Sequence, residues 1–124
     1  MSLACRGVRG ATTARANTKE AILEATKELL ERLMEANNLE KESVVAAFFT
    51  TTRDLNAEFP AVAARQMGWT DVALMDGHEM DVPDALPCCI RALLLVNTER
   101  QAHEVVNVYL RDAVNLRSRG METG

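Results

Sequence analysis

The chain is short of the residues that most enzymes use for nucleophilic or metal chemistry. Among 124 residues there are two histidines and three cysteines. Cys5, Cys88 and Cys89 are odd in number and two are adjacent, which offers no disulfide framework. No Cys-x-x-Cys or His-Glu-x-x-His spacing points to zinc, so no metal site is expected. His78 and His103 give a histidine-dependent nucleophile little to draw on. Walker and glycine-rich phosphate fingerprints are missing as well. No apolar run approaches the roughly 20 residues that cross a bilayer. The opening Met-Ser-Leu-Ala-Cys-Arg-Gly lacks the apolar stretch of a signal peptide. A cytoplasmic protein without membrane contact is the expectation. Positive charge is also in deficit, with 14 basic against 18 acidic residues and a net charge of −4. A surface that grips phosphate backbones is usually basic, so nucleic acid is not an expected partner.

What is present is globular composition, 48% hydrophobic and 26% charged, in a chain of 13.7 kDa. That mass fits one domain, read as residues 1–117, with a polar tail over 118–124. A domain of this length buries about two-thirds of its unfolded surface and needs no staple. The basic residues are skewed: Lys19, Lys27 and Lys41 are the only lysines among the 14. Arginine presents a planar fork that matches a carboxylate two-on-two, so the positions of the arginines matter.

Hydrophobic period divides the chain into elements. Residues 3–13 alternate and read as a strand with Cys5, Gly7 and Arg9 on one face and Arg6, Val8 and Gly10 on the other. Residues 18–37 carry an apolar stripe through Ile22, Ala25, Leu29 and Leu33 at helical spacing. Asn17 with Glu20 three positions on suggests the cap, and Glu28 with Arg32 an i,i+4 pair. Residues 44–51, VVAAFFTT, read as a strand buried on both faces. A polar loop over 53–59 precedes Pro60, which suits the first turn of a short helix over 60–67. A strand near 71–75, a turn-rich loop with two prolines and a strand over 88–97 follow. A short helix at 100–104, a strand through Val105–Tyr109 and an irregular turn with Val114 and Leu116 complete the reading. Strands outnumber helices, which predicts an α+β mixed sheet with helices on one face.

Arg91 resists a purely structural account. It lies in an otherwise apolar strand, where an unpaired guanidinium is costly. It must pair with a carboxylate inside the protein or face a cleft that receives an anion. Glu79, just upstream in a loop, is a candidate partner, and Arg9 in the first strand poses the same question. An Arg–Glu–Arg set on strands and a connecting loop suits a small polycarboxylate that also offers a hydroxyl. By contrast His78 is assigned no role, Cys88 and Cys89 read as inert strand residues, and Trp69 as packing.

Several stretches occur in compatible order along the chain: Arg6-Gly7-Val8-Arg9-Gly10-Ala11-Thr12-Thr13, Asp54-Leu55 with Phe59-Pro60-Ala61 and Arg65, Glu79-Met80-Asp81-Val82, Ile90-Arg91, Val108-Tyr109-Leu110 and Leu116-Arg117. Each is weak alone. Together they resemble the AroH class of chorismate mutase over nearly the whole length. The resemblance implies a ferredoxin-like sheet assembled as a pseudo-α/β-barrel homotrimer with sites at subunit interfaces. It implies the substrate chorismate, rearranged to prephenate on the route to phenylalanine and tyrosine, with no cofactor. It makes Arg91 the cation at the ether oxygen and Glu79 the acceptor for the ring hydroxyl. Arg9 and Tyr109 would hold a carboxylate. Phe59, Ala61 and Arg65 would wall the cleft from a neighbouring subunit, and Leu74, Leu116 and Arg117 would close it.

Two positions depart from the pattern. Members of the class can carry a lysine where this chain has Val62. Asp76 stands where a cysteine or other small polar residue can assist Glu79, and two adjacent carboxylates would repel and raise one pKa. These departures motivate an alternative, a non-catalytic trimeric binding module for a carboxylated metabolite.

Overall fold

A computed structural model describes residues 2–116. The strands are β1 (Ala4–Thr13), β2 (Val44–Thr51), β3 (Ala73–His78), β4 (Cys89–Thr98) and β5 (Val108–Tyr109). The helices are α1 (Lys19–Ala36) and α2 (Pro60–Gln66). The strands form one sheet in the order β3-β2-β4-β1-β5. β4 is antiparallel to both β1 and β2, while β2–β3 and β1–β5 are parallel. The expected mixed α+β sheet with helices on one face is therefore observed. β1-α1-β2 is a split β-α-β unit with β4 inserted, the feature shared with ferredoxin-like folds. The parallel neighbour β3 departs from that pattern, because α2 returns the chain beside β2 in the same direction.

The core lies between this sheet and the two helices. Leu29, Leu30 and Leu33 of α1 and Ala61 and Ala64 of α2 pack on Val8, Ala47, Phe49, Ala92, Leu94 and Val96. α1 forms because its apolar residues recur at helical spacing. Its N-cap is Thr18, whose hydroxyl accepts from Ala21 N at 3.1 Å, and not Asn17. Asn17 instead accepts from the backbone N–H groups of Asn56 and Ala57 at 2.9 and 3.0 Å, stapling the 53–59 loop. At the other end, Asn37 is buried and exchanges hydrogen bonds with both backbone groups of Val106. That clasp leads the chain into β5, which is shorter than expected: residues 105–107 leave the ladder and only Val108 and Tyr109 pair with β1. The expected helix over 100–104 is a single 3-10 turn, Ala102–Glu104.

The opposite face of the sheet is open over much of its area. β2 is thus covered on one face within this chain, not on both as its apolar composition suggested. Phe49 is buried beneath the helices, whereas Phe48 is 38% exposed on the open face. β3 begins two residues later than expected and continues through His78. A 3-10 turn, Arg111–Asn115, folds over one end of the open face, burying Ala113 and Leu116 against Ala11 and Cys89. Arg111 fastens it. Its Nε donates to Glu28 Oε1 at 3.1 Å and its Nη1 to Thr13 O at 3.1 Å. Glu28 is thereby drawn to Arg111 and away from the expected i,i+4 partner Arg32. No helix among the described residues is long and apolar enough to cross a membrane.

α1 approaches β1 over Gly10, where a Cβ would lie 2.9 Å from Leu29 Cδ1, 3.1 Å from Leu33 Cδ1 and 3.0 Å from the Val108 carbonyl oxygen. Gly10→Ala therefore forces the helix or β5 away and should cost about 1–3 kcal/mol. Urea unfolding checks this, and an unchanged midpoint would show that the contact yields without cost.

Candidate active site

The register of β4 builds the site. Alternation puts Ile90, Ala92 and Leu94 under the helices and Arg91 and Leu93 on the open face. In one row across that face, Arg91 is flanked by Thr50 of β2 and Ala11 of β1, and Tyr109 of β5 pairs beyond Ala11. The next row places Met75, Phe48, Leu93 and Arg9 side by side. Arg9 and Arg91 thus share one face on adjacent strands, one register row apart. The side chain of Arg9 is exposed, and its backbone N–H donates to Asn107 Oδ1 at 2.9 Å.

Glu79 follows directly on β3, where its N–H donates to Thr51 O at 2.8 Å and extends the pairing with β2 by one residue. Its Oε1 accepts a hydrogen bond from the Thr50 hydroxyl. The same oxygen lies 3.7 Å from Arg91 Nε, an ion pair with side chains 24% and 37% exposed. At that distance charges attract but no hydrogen bond forms. Nε itself is buried and has no hydrogen-bond partner. Both alternatives raised for Arg91 therefore hold together: it has an internal carboxylate, and it borders an open surface. A cation with an unused N–H, a fixed carboxylate and a second cation close by can bind a dianion that carries a hydroxyl.

The position of Arg91 depends on how β4 starts. Cys88 takes the left-handed region at φ 53°, and its N–H donates to Asp54 Oδ2 at 2.9 Å. Cys89 N–H donates to the Thr52 hydroxyl at 3.0 Å, and that hydroxyl donates to Asp54 Oδ1 at 2.5 Å. For Asp54, burial pushes the pKa up, but the Thr52 hydroxyl and the Cys88 N–H outweigh it and hold the carboxyl below its usual value. Burial raises the thiol pKa values of Cys88 and Cys89, for Cys88 with help from the Asp54 charge. For Cys89 the Arg91 charge opposes the rise, and Cys88 lies just before β4 and not within the strand, where it was expected.

The other expected site residues fall elsewhere. Phe59 is 64% exposed at the start of α2, and with Pro60, Glu58, Asp76 and His78 it borders a cavity of about 310 Å³. Ala61 is fully buried in the core and offers no side-chain surface to a ligand in this chain. Leu74 pairs with Ala47 and packs against the main core, so within this chain it lies away from Arg91. Arg65 is exposed on the last turn of α2, and Leu116 is buried under the 3-10 turn beside Tyr109. Arg117 lies outside the described residues. Asp76 does not stand beside Glu79. It points to α2, where Oδ1 accepts from Ala61 N at 3.0 Å and caps the helix. Its pKa is raised, by burial and not by the repulsion from Glu79 that the sequence suggested. The Ala61 hydrogen bond and the Arg65 charge oppose the rise, and Glu58 adds to it. Thr50 and Arg111 were not singled out from sequence. Thr50 could be placed on the Phe48 face by alternation, but its partner is visible only in the register.

Chorismate mutase type I is the family whose model matches residues 5–119. The chain is 49% identical over 113 residues to chorismate mutase AroH of Thermus thermophilus, covering 90% of this chain and 93% of the relative. It is 43% identical over 113 residues to chorismate mutase AroH of Bacillus subtilis, covering 90% and 89%. A solved chorismate mutase from Clostridium thermocellum superposes with a TM-score of 0.85 at 46% identity, covering 86% of this chain and 96% of that one.

Asp76 generates a prediction with a definite sign. Its carboxyl pKa in the folded state lies above the reference value of 3.8. The ionised form therefore costs stability, nothing below the unfolded pKa and in full above the folded one. Asp76→Asn keeps an oxygen for Ala61 N and removes the ionisation. Its melting temperature relative to the parent should rise as pH increases from below 3.8 toward neutrality. Asp76→Ala, which loses the cap, should be destabilised by about 1 kcal/mol. A difference between Asp76→Asn and the parent that stays flat with pH would refute the assignment.

Proposed function

The chain belongs to the type I chorismate mutase family, and from that premise we propose that Arg91 and Glu79 carry the conversion of chorismate to prephenate in a cleft shared between subunits. The rearrangement is a unimolecular Claisen shift within aromatic amino-acid biosynthesis. By its nature it requires no nucleophile and no obligatory proton transfer. It requires a flexible dianion held folded with its reacting carbons close, and positive charge where the ether bond breaks. The observation that carries the assignment is the partly buried Arg91–Glu79 pair with its unpartnered Nε, set in the open face.

In this reading Arg91 meets the ether oxygen and stabilises the charge that develops there. Glu79 accepts from the ring hydroxyl and orients the ring, not as a base. Arg9 and Tyr109, on the same face, hold a carboxylate. Val62 and Asp76 motivated the binding-module alternative. Family membership decides for the enzyme, and Asp76 is engaged with α2 in a structural cap.

A homotrimer completes the reading. Met75, Phe48 and Leu93 lie in register on the open face, 62%, 38% and 36% exposed. A contiguous apolar surface of this kind is normally covered by another chain. Phe59 and Arg65 lie on the α2 side, across the sheet from Arg91. One chain thus presents two separate half-sites, which a closed ring of copies can join head to tail. A cytoplasmic location belongs to the same reading, and Cys5, Cys88 and Cys89 are free thiols.

Purified protein should convert chorismate to prephenate, followed by ultraviolet absorbance and product identification. Arg91→Ala should lower kcat by at least about 10²–10³-fold, the loss typical of one transition-state donor. Retention of activity would remove Arg91 from its assigned role. Sedimentation should give a trimer. Arg91→Ala and Phe59→Asp, each inactive alone, should regain activity when mixed and reassembled. A monomer that is fully active would sink the shared cleft.

A further inference from the structure

Thr50 lies on β2 directly across from Arg91, and its hydroxyl donates to Oε1 of Glu79. Oε1 is also the carboxylate oxygen paired with the guanidinium, 3.7 Å from Arg91 Nε. A guanidinium and a carboxylate free to approach close into a hydrogen-bonded, often bidentate contact. Here they do not, although Nε is buried and has no other partner. Closure would satisfy both groups and withdraw Arg91 from a ligand. The Thr50 hydroxyl draws Oε1 toward β2 and the Glu79 backbone is held by Thr51 O at 2.8 Å, so the carboxylate is anchored from both ends away from Nε.

We propose that Thr50 is a positioning residue that keeps Glu79 from collapsing onto Arg91. With Oε1 held by Thr50, the exposed part of the Arg91 guanidinium stays turned to the open face for the substrate's ether oxygen, and Glu79 keeps acceptor capacity for the ring hydroxyl. The inference rests on the roles given above to Arg91 and Glu79. It concerns the hydroxyl, not the shape, of residue 50. Valine retains the β-branched outline and the strand preference while removing the donor.

The test compares kcat and KM for Thr50→Val and Thr50→Ser, and repeats Thr50→Val in a Glu79→Ala background. Thr50→Val should lower kcat/KM about tenfold, chiefly in kcat, the equivalent of one hydrogen bond to a charged group. Thr50→Ser should recover activity to within about twofold. Thr50→Val should add nothing once Glu79 is alanine, since no carboxylate is left to hold. Affinity for a bicyclic dicarboxylate mimic of the transition state, measured by calorimetry, reads the same cycle in variants too slow to assay. Three results would overturn the proposal: an unchanged Thr50→Val, a serine variant as poor as valine, or an equal loss with and without Glu79. Full activity in Arg91→Ala or Glu79→Ala would instead overturn the underlying assignment, whatever Thr50 does.

Discussion

An arginine on the central strand of a sheet is tolerated only where its charge stays solvated or finds a partner, and this constraint organises the molecule around β4. With both neighbours antiparallel to it, β4 has no edge by which the Arg91 side chain could escape. A shift of one residue would drive the guanidinium into the layer of Leu94, Ile90 and Ala92 beneath the helices. Burial of an unpaired charge there would cost several kcal/mol. The sheet therefore has one register that leaves Arg91 on the open face with Glu79 within reach.

That register is fixed from outside the strand. Asp54 and Thr52 receive the N–H groups of Cys88 and Cys89, so β4 starts at a defined residue. Asn17 clamps the loop that carries Asp54 and Phe59. At the far side of the row, Arg111 ties the 3-10 turn to α1 and to the end of β1, holding Leu116 over Ala11 next to Tyr109. Polar side chains at the ends of elements thus set the position of a charge at the centre of the sheet. None of them needs to touch the reacting molecule.

How much of this was legible in the sequence depended on whether a feature was local. The span of β2 was read to the residue, because VVAAFFTT is a β-rich run bounded by polar segments. The sides of β1 and β4 followed from alternation alone, and Pro60 marked the start of α2. β5 was overestimated because Val105 and Val106 have strand character, but Val106 is claimed by the Asn37 clasp and the Val105 N–H turns back to Ala102 O. Asn17 passed for a cap because its chemistry suits one equally well, and only the folded loop shows what it binds. At the site, Arg91 was conspicuous as a charge among aliphatics, and Glu79 as a candidate carboxylate in the loop just upstream. Asp76 was placed beside Glu79 by the family pattern, and only the fold shows that within this chain its carboxylate caps α2. Thr50 could not be recognised until the partners of β2 and β4 were known.

The open face carries two demands that would conflict in a monomer. Phe48, Leu93 and Met75 favour withdrawal from water, yet Arg9 and Arg91 on the same face must remain able to receive a dianion. In the proposed ring a neighbour covers the apolar row and stops short of the arginine end, so one contact removes the exposed hydrocarbon and lowers the dielectric around the cations. Each charge–charge interaction in such a water-poor cleft is stronger than on an open surface. In that ring, assembly supplies part of the electrostatic effect that one chain with an open face cannot build alone. On this argument catalysis and association are one physical event, and a change at Phe48 or Leu93, remote from the breaking bond, acts on rate through the environment of Arg91.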